Sequence, residues 1–175
     1  SNSEATDSYS VAVGASASAT GDNGTAIGTF SEATGIETTV VGYSAAAEGD
    51  RSTAMGTRAE ATGSNASAFG QMATASAIGA TALGQGATAS GVSSLALGKS
   101  SVASNTTALA VGVRAQAEGR GSVALGGGTA SHGPLATGSY AIAIGGGEAG
   151  REGAQAGGNR AIAIKGNNSD LTCLH

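Results

Sequence analysis

Residues 94 to 126 read SLALGKSSVASNTTALAVGVRAQAEGRGSVALG, and within this stretch Gly98, Gly112 and Gly126 stand fourteen residues apart. The same step runs back through Gly84, Gly70, Gly56, Gly42, Gly28 and Gly14, nine glycines without a slip. A large apolar residue precedes each one: Val13, Ile27, Val41, Met55, Phe69, Leu83, Leu97, Val111 and Leu125. Two before the Gly stands Ala, from Ala12 and Ala26 to Ala124, with Val40 the exception. The second half of each unit alternates too. A small residue follows the Gly by three places (Ala17, Ser31, Ala45 and onward to Thr129), and Ala follows it by five (Ala19 to Ala117). A second Gly closes many units, at Gly21, Gly35, Gly49, Gly63, Gly91, Gly119 and Gly133. Self-similarity at one fixed period marks a solenoid.

Each unit predicts strand, Gly turn, strand, Gly turn. Period-two alternation over four to five residues is a strand pattern, and Gly supplies the positive φ of tight turns. A helix fails because Gly interrupts it about every seven residues. Fourteen residues at roughly 3.3 Å each are too few for a coil with three faces but enough for two short sheets back to back. The expected fold is all-β: a narrow parallel β-roll with two short strands per coil. Eleven coils at about 4.8 Å would make a rod roughly 50 Å long. Parity puts Val11 and Val13 on one side of their strand, and Ala17 and Ala19 on one side of theirs. The preferred assignment places both sets inside, large against small, and turns the Ala12 column outward; the reverse stays open. An Ala column on the outside would let another chain approach closely. So small a coil buries at most one large side chain against the cost of ordering its backbone, so a partner surface is expected.

Composition agrees. Among 175 residues there are 38 Ala and 31 Gly, whereas Val, Ile, Leu and Phe number only 26. A Leu/Phe/Trp core of the ordinary enzyme kind is therefore excluded, and with one Pro and no Gly at every third place so is collagen. Charged residues are 11% and the net charge is −4, so the repulsion that keeps disordered chains open is missing. Scattered Lys and Arg without a basic face argue against nucleic acid. No run of about 18 apolar residues exists to cross a membrane as a helix, and the opening SNSEATDSYS lacks the parts of a signal peptide. Cys173 is the single cysteine and has no internal partner.

The units Ser10-Val-Ala-Val-Gly14, Ser94-Leu-Ala-Leu-Gly98 and Ser122-Val-Ala-Leu-Gly126 resemble the SVAIG-type head repeat of trimeric autotransporter adhesins, the YadA-like heads. Ala15 to Gly21 and Ala87 to Gly91 match the downstream half. The resemblance covers about residues 8 to 166. It implies a left-handed parallel β-roll packed as a parallel homotrimer on the outer face of a Gram-negative outer membrane. It also implies adhesion to host cells or extracellular matrix proteins, a virulence role, without direct membrane contact by this segment. The family's neck, heptad stalk and membrane anchor are not visible, so an excised head is expected. The division expected is a head over residues 1–166, regular over about 8–126 and lengthened by loops over 127–166, then a tail at 167–175. After Gly126 the next Ile-Gly is Ile144-Gly145, nineteen residues on, and then Ile164-Lys165 puts Lys where Gly belongs. The surplus residues, Gly127 to Ser139 and Gly146 to Asn159, should be loops. The tail fits no coil and reads as a connector or a remnant foreign to the native protein.

Chemistry is nearly absent. His132 and His175 are the only imidazoles and Asp occurs four times, so no pattern positions a catalytic triad. Gly145-Gly-Gly-Glu-Ala-Gly150 matches GxGxxG, but the following residues 151–158 hold three Gly and cannot supply the helix a dinucleotide needs. Calcium-binding rolls need regular Asp. No cofactor, metal site or catalysis is expected. Asn-x-Ser/Thr sequons at Asn23, Asn65, Asn105 and Asn167 reflect turn composition repeated by the period. Arg51, Arg58, Arg114 and Arg120 lie at turns or alternate positions and should project outward, keeping the rod soluble or forming a polar face for a matrix ligand. Of the two loops, Thr129 to Leu135 is the better ligand candidate, with His132, Pro134 to stiffen it and Leu135 as an apolar contact. Two other functions remain in view. One is a spacer or fibre segment without its own ligand. The other is an ice-binding solenoid, prompted by the ladder Thr25, Thr39, Thr53, Ser67, Thr81, which Leu95, Leu109 and Val123 interrupt.

Overall fold

The computed structural model describes residues 2–129, 133–148 and 151–166, and the backbone of 171–174. Strands of two lengths alternate along the chain. Two-residue strands run from Glu4–Ala5 and Ser18–Ala19 to Gln155–Ala156; three-residue strands run from Val11–Val13 and Thr25–Ile27 to Ile142–Ile144. The short strands build an eleven-stranded sheet, here the narrow sheet. The longer ones, with Ile162–Lys165 and Leu171–Leu174, build a twelve-stranded broad sheet. Within each sheet successive coils pair in parallel and in perfect register: Ala68 faces Ala54 on one side and Ala82 on the other, and Ala75 faces Ala61 and Ala89. The expected two-sheeted parallel roll is what forms, and no helix occurs among the described residues.

The inside of the roll corrects the preferred face assignment. Ala17 and Ala19 do point inward, but their partners across the roll are the Ala12 column, not Val11 and Val13. Ala82 is 0% exposed while its neighbour Leu83 is 44% exposed, and the same alternation holds coil after coil. The Ser10 column, two places before, is also interior, filled by Thr38, Ser52, Ala66, Ala80, Ser94, Ala108 and Ser122. Each regular coil therefore turns four small residues inward, Gly24 being one of them. Short corners hold the two sheets too close for more. The largest fully buried side chains are Val40, Thr38 and Pro134, followed only by Ser. A Leu or Phe inside would force the sheets apart, so the large residues are driven to the outer face of the broad sheet.

Two different demands make the two glycine columns. The first column, Gly14 to Gly126, adopts φ between 124° and 147°, a region that L side chains rarely enter. A Cβ on Gly70 would also stand 2.7 Å from the carbonyl oxygen of Gly84 in the next coil. The second column needs only space: a Cβ on Gly35 would meet the Glu48 carbonyl oxygen at 2.6 Å. In the lengthened coils that second column continues through Gly138, beneath Gly119, rather than through Gly133, which lies against Arg114 instead. Each corner also carries a residue in the left-handed region. One edge has Tyr9, Asn23, Glu37, Arg51 and Asn65 at φ 56–58°, the other Ser16, Phe30, Ser44, Arg58 and Met72 at 50–58°. Backbone hydrogen bonds between coils hold these corners, as from Arg51 N–H to the Ile36 carbonyl at 2.7 Å.

The lengthened coils keep the roll intact. Gln116 pairs with Leu135 and then Gln155, and Val123 with Ile142 and then Ile162. From Val123 to Leu135 is twelve residues and from Ile142 to Gln155 thirteen, against seven from Leu109 to Gln116. Both insertions thus leave at the same corner, just after Gly126 and Gly145. Lys165 can stand in the Gly place because the roll does not turn there. The strand Ile162–Lys165 instead runs one residue longer, and Leu171–Leu174 returns antiparallel along it, with Lys165 opposite Leu171. That strand extends the broad sheet instead of starting another coil, and it covers an edge.

Buried Ser hydroxyls supply a test. Ser31 and Ser101 donate to the carbonyls of Gly28 and Gly98, at 2.8 and 2.9 Å. The hydroxyls of Ser52, Ser94 and Ser122 are buried without a partner, in a column where other coils carry Ala. Ser94→Ala should be neutral or stabilise by up to about 1 kcal/mol. Gly70→Ala should destabilise by more than about 2 kcal/mol through strain and collision, and Ala82→Leu by about 1–3 kcal/mol through overpacking. Denaturant unfolding of the three variants checks this ranking.

Candidate functional site

With the interior closed to large groups, function falls to the outer surface, which differs between the two sheets. The outer face of the broad sheet carries two columns. One is Val13, Ile27, Val41, Met55, Phe69, Leu83, Leu97, Val111 and Leu125, continued by Ile144 and Ile164; all of it is exposed or half-exposed. The other begins at Val11, passes through Thr25, Thr39, Thr53, Ser67 and Thr81, and ends in Leu95, Leu109, Val123, Ile142 and Ile162. The hydroxyl ladder thus exists, but one column wide and flanked by the apolar one. The outer face of the narrow sheet is mostly polar: Ser18, Glu32, Ala46, Glu60, Thr74, Thr88, Val102 and Gln116. An unbroken apolar strip along one side of a water-exposed rod marks an interaction surface.

Among the described residues, the structure sets Arg114 beside the segment 133–135, where Gly133 lies against its carbonyl, and spreads the other sequence-expected ligand residues apart. Arg51 is exposed at one edge, where its Nε donates to Asn65 Oδ1 of the next coil at 3.0 Å. Arg120 is exposed at that same edge five coils away, and its carbonyl accepts from Tyr140 N–H at 2.7 Å. Arg58 and Arg114 sit at the opposite edge with φ 55° and 58°, Arg58 exposed and Arg114 half-buried. Four coils separate that pair, roughly 19 Å at about 4.8 Å per coil. His132 lies outside the described residues. Pro134 is fully buried, so it is withdrawn as a contact: it takes the inward place that Ala115 holds in the coil before, and its carbonyl accepts from Gln116 N–H at 2.9 Å. Leu135 is half-buried in the narrow sheet between Gln116 and Gln155.

The insertions touch each other, Thr129 N–H donating to the Gly147 carbonyl at 3.1 Å. The second one folds back through a bridge between Glu148 and Arg151. At its base, Lys165 Nζ donates to the Glu152 carbonyl and Gln155 Nε2 to Glu152 Oε2. A hollow of about 410 Å³ there is lined by Arg151, Glu152, Gly153, Gln155 and Lys165. A second, of about 330 Å³, lies at the edge among Ser139, Tyr140, Asn159 and Arg160. Neither was singled out in the sequence. The signal was there for the second: aligning the lengthened coils on Gly138 and Gly158 stacks Tyr140 and Arg160 in the corner column. On the other edge, Phe30 and Tyr43 meet edge to face, centroids 5.9 Å apart. Among the described residues, no three His, Cys, Asp or Glu gather where a cation could be held.

A family model described as the YadA head domain repeat (2 copies) matches residues 1–17, 5–31, 33–59, 61–87, 75–101, 89–112 and 103–129. No curated protein matches the chain.

The spread of the arginines has a measurable consequence. Arg58→Ala and Arg114→Ala should combine additively, within about 0.5 kcal/mol, because sites more than about 10 Å apart rarely couple. A larger coupling energy in a double-mutant cycle would place them in one network.

Proposed function

The chain belongs to the YadA head family, whose repeat matches cover most of its length and whose members are cell-surface autotransporter adhesins, and from that premise we propose that it is the ligand-binding head of a homotrimeric adhesin. In this reading residues 1–166 form the head, the strand Leu171–Leu174 closes the last edge of its broad sheet, and three copies stand parallel on a Gram-negative outer membrane. They hold extracellular matrix proteins or host-cell receptors through many weak contacts, which add across three chains and many molecules per cell.

The observation that carries the proposal is the apolar strip on the broad sheet. Leu83 and Leu97 are 44% and 38% exposed, although their neighbours Ala82 and Ala96 are fully buried. An isolated rod gains nothing from such a strip and risks aggregation. Covering it with identical strips from two further copies gives the large side chains the burial that the coil itself denies them, about 1.5–3 kcal/mol for each one fully covered. The polar narrow sheet, the corners and the two insertions then remain for the ligand, displayed on a rigid scaffold.

Surfaces coated with collagen, fibronectin or laminin test it. At least one should retain the intact chain. The Leu83→Asp/Leu97→Asp double variant should keep its β-rich far-UV spectrum yet lose at least tenfold in retention, because its copies come apart. Retention by none of these surfaces would favour a spacer without its own ligand, and equal retention of both proteins would sever binding from assembly.

A further inference from the structure

One corner column changes character at its end. Gly121, Tyr140 and Arg160 follow one another there in successive coils, with φ 62°, 58° and 59°. Tyr140 occupies the space that Gly121 leaves empty: a Cβ on Gly121 would stand 2.8 Å from Cδ1 and 3.0 Å from Cε1 of the ring. The ring therefore leans back along the roll onto the preceding coil, away from Arg160, and stays 52% exposed. Between Tyr140 and Arg160 opens the cleft of about 330 Å³ that Ser139 and Asn159 complete. Asn159 Oδ1 accepts the Ser139 backbone N–H at 3.1 Å, which fixes the amide and leaves its NH2 group as a donor.

We infer that this cleft binds one acidic sugar unit, a uronic acid of a surface polysaccharide. An aromatic ring held in place offers its face to the C–H side of a pyranose without paying to be ordered. The remaining lining groups are donors: the Arg160 guanidinium, the Asn159 amide and the hydroxyls of Ser139 and Tyr140. No carboxylate lines the cleft. A planar guanidinium facing such a space selects a carboxylate over a neutral hydroxymethyl group, because it can bond both oxygens. The volume lies near the low end of small-molecule sites, which begin at about 300 Å³, and suits a single ring rather than a folded loop. The inference rests on the adhesive reading above, to which it adds the chemical class of a ligand.

Saturation-transfer NMR on the whole chain, with glucuronate and glucose as probes, tests it. Glucuronate ring protons should be saturated, and more strongly than those of glucose. Tyr140→Asn should abolish the effect without unfolding the roll, since Asn23 and Asn65 occupy the same corner at φ 56° and 58°; an unchanged melting curve verifies that. Arg160→Gln should weaken glucuronate at least tenfold while leaving glucose unchanged. No saturation of glucuronate, or equal saturation in the Tyr140→Asn variant, overturns the site. Matrix retention without any glucuronate signal overturns the cleft alone. A glucuronate signal that Tyr140→Asn removes, in a protein no matrix surface retains, sustains the cleft and rejects the adhesive reading.

Discussion

The distance between the two sheets governs this molecule. Corners of a few residues, locked by a left-handed residue at each edge and by hydrogen bonds to the adjoining coils, set the sheets so close that inward places hold Ala or Ser and at most Val40, Thr38 or Pro134. Hydrophobic burial within one chain is correspondingly thin, because an Ala methyl removes little area from water. What the coils lack in side-chain burial they recover in repetition. Every coil hydrogen-bonds to the next in register, so stability accumulates along the rod as nearest-neighbour terms.

The same narrowness decides what the surface looks like. Large side chains have no place inside, and the chain concentrates them in columns on the broad sheet, leaving the narrow sheet polar. The rod is therefore two-sided in chemistry as well as in shape. One side carries the exposed apolar columns and the other is mostly polar. Features that break the repeat cluster toward the carboxyl end of the described rod: two insertions at one corner, a tyrosine laid over a glycine, and a lysine in place of a turn glycine where the next described strand returns antiparallel.

Much of this was legible in the sequence, and the parts that were not have physical reasons. The period, the strand pairs and the glycine columns could be read because each glycine answers a demand repeated in every coil: positive φ at Gly70, clearance from a neighbouring carbonyl at Gly35. Parity could say that Val11 and Val13 share a face, but not which face is inside. The habit that large apolar residues go inward pointed the wrong way, because it ignores how little room fourteen residues enclose. Pro134 looked like a loop residue for a similar reason. Counting on from Gly126 put Thr129 in the inward column, whereas the five surplus residues of the insertion move that place to Pro134. The cleft beside Tyr140 was hidden by the same irregularity, since Tyr140 and Arg160 stack only once the lengthened coils are aligned. Arginines at turns read as a group in the sequence; the structure divides them between two edges.

The native mass by light scattering across a dilution series addresses most directly whether the apolar strip is covered by copies of the same chain. A mass near three times 16.3 kDa that survives dilution is expected. A monomer of 16.3 kDa, stable and soluble at every concentration with Leu83 and Leu97 left in water, would contradict it.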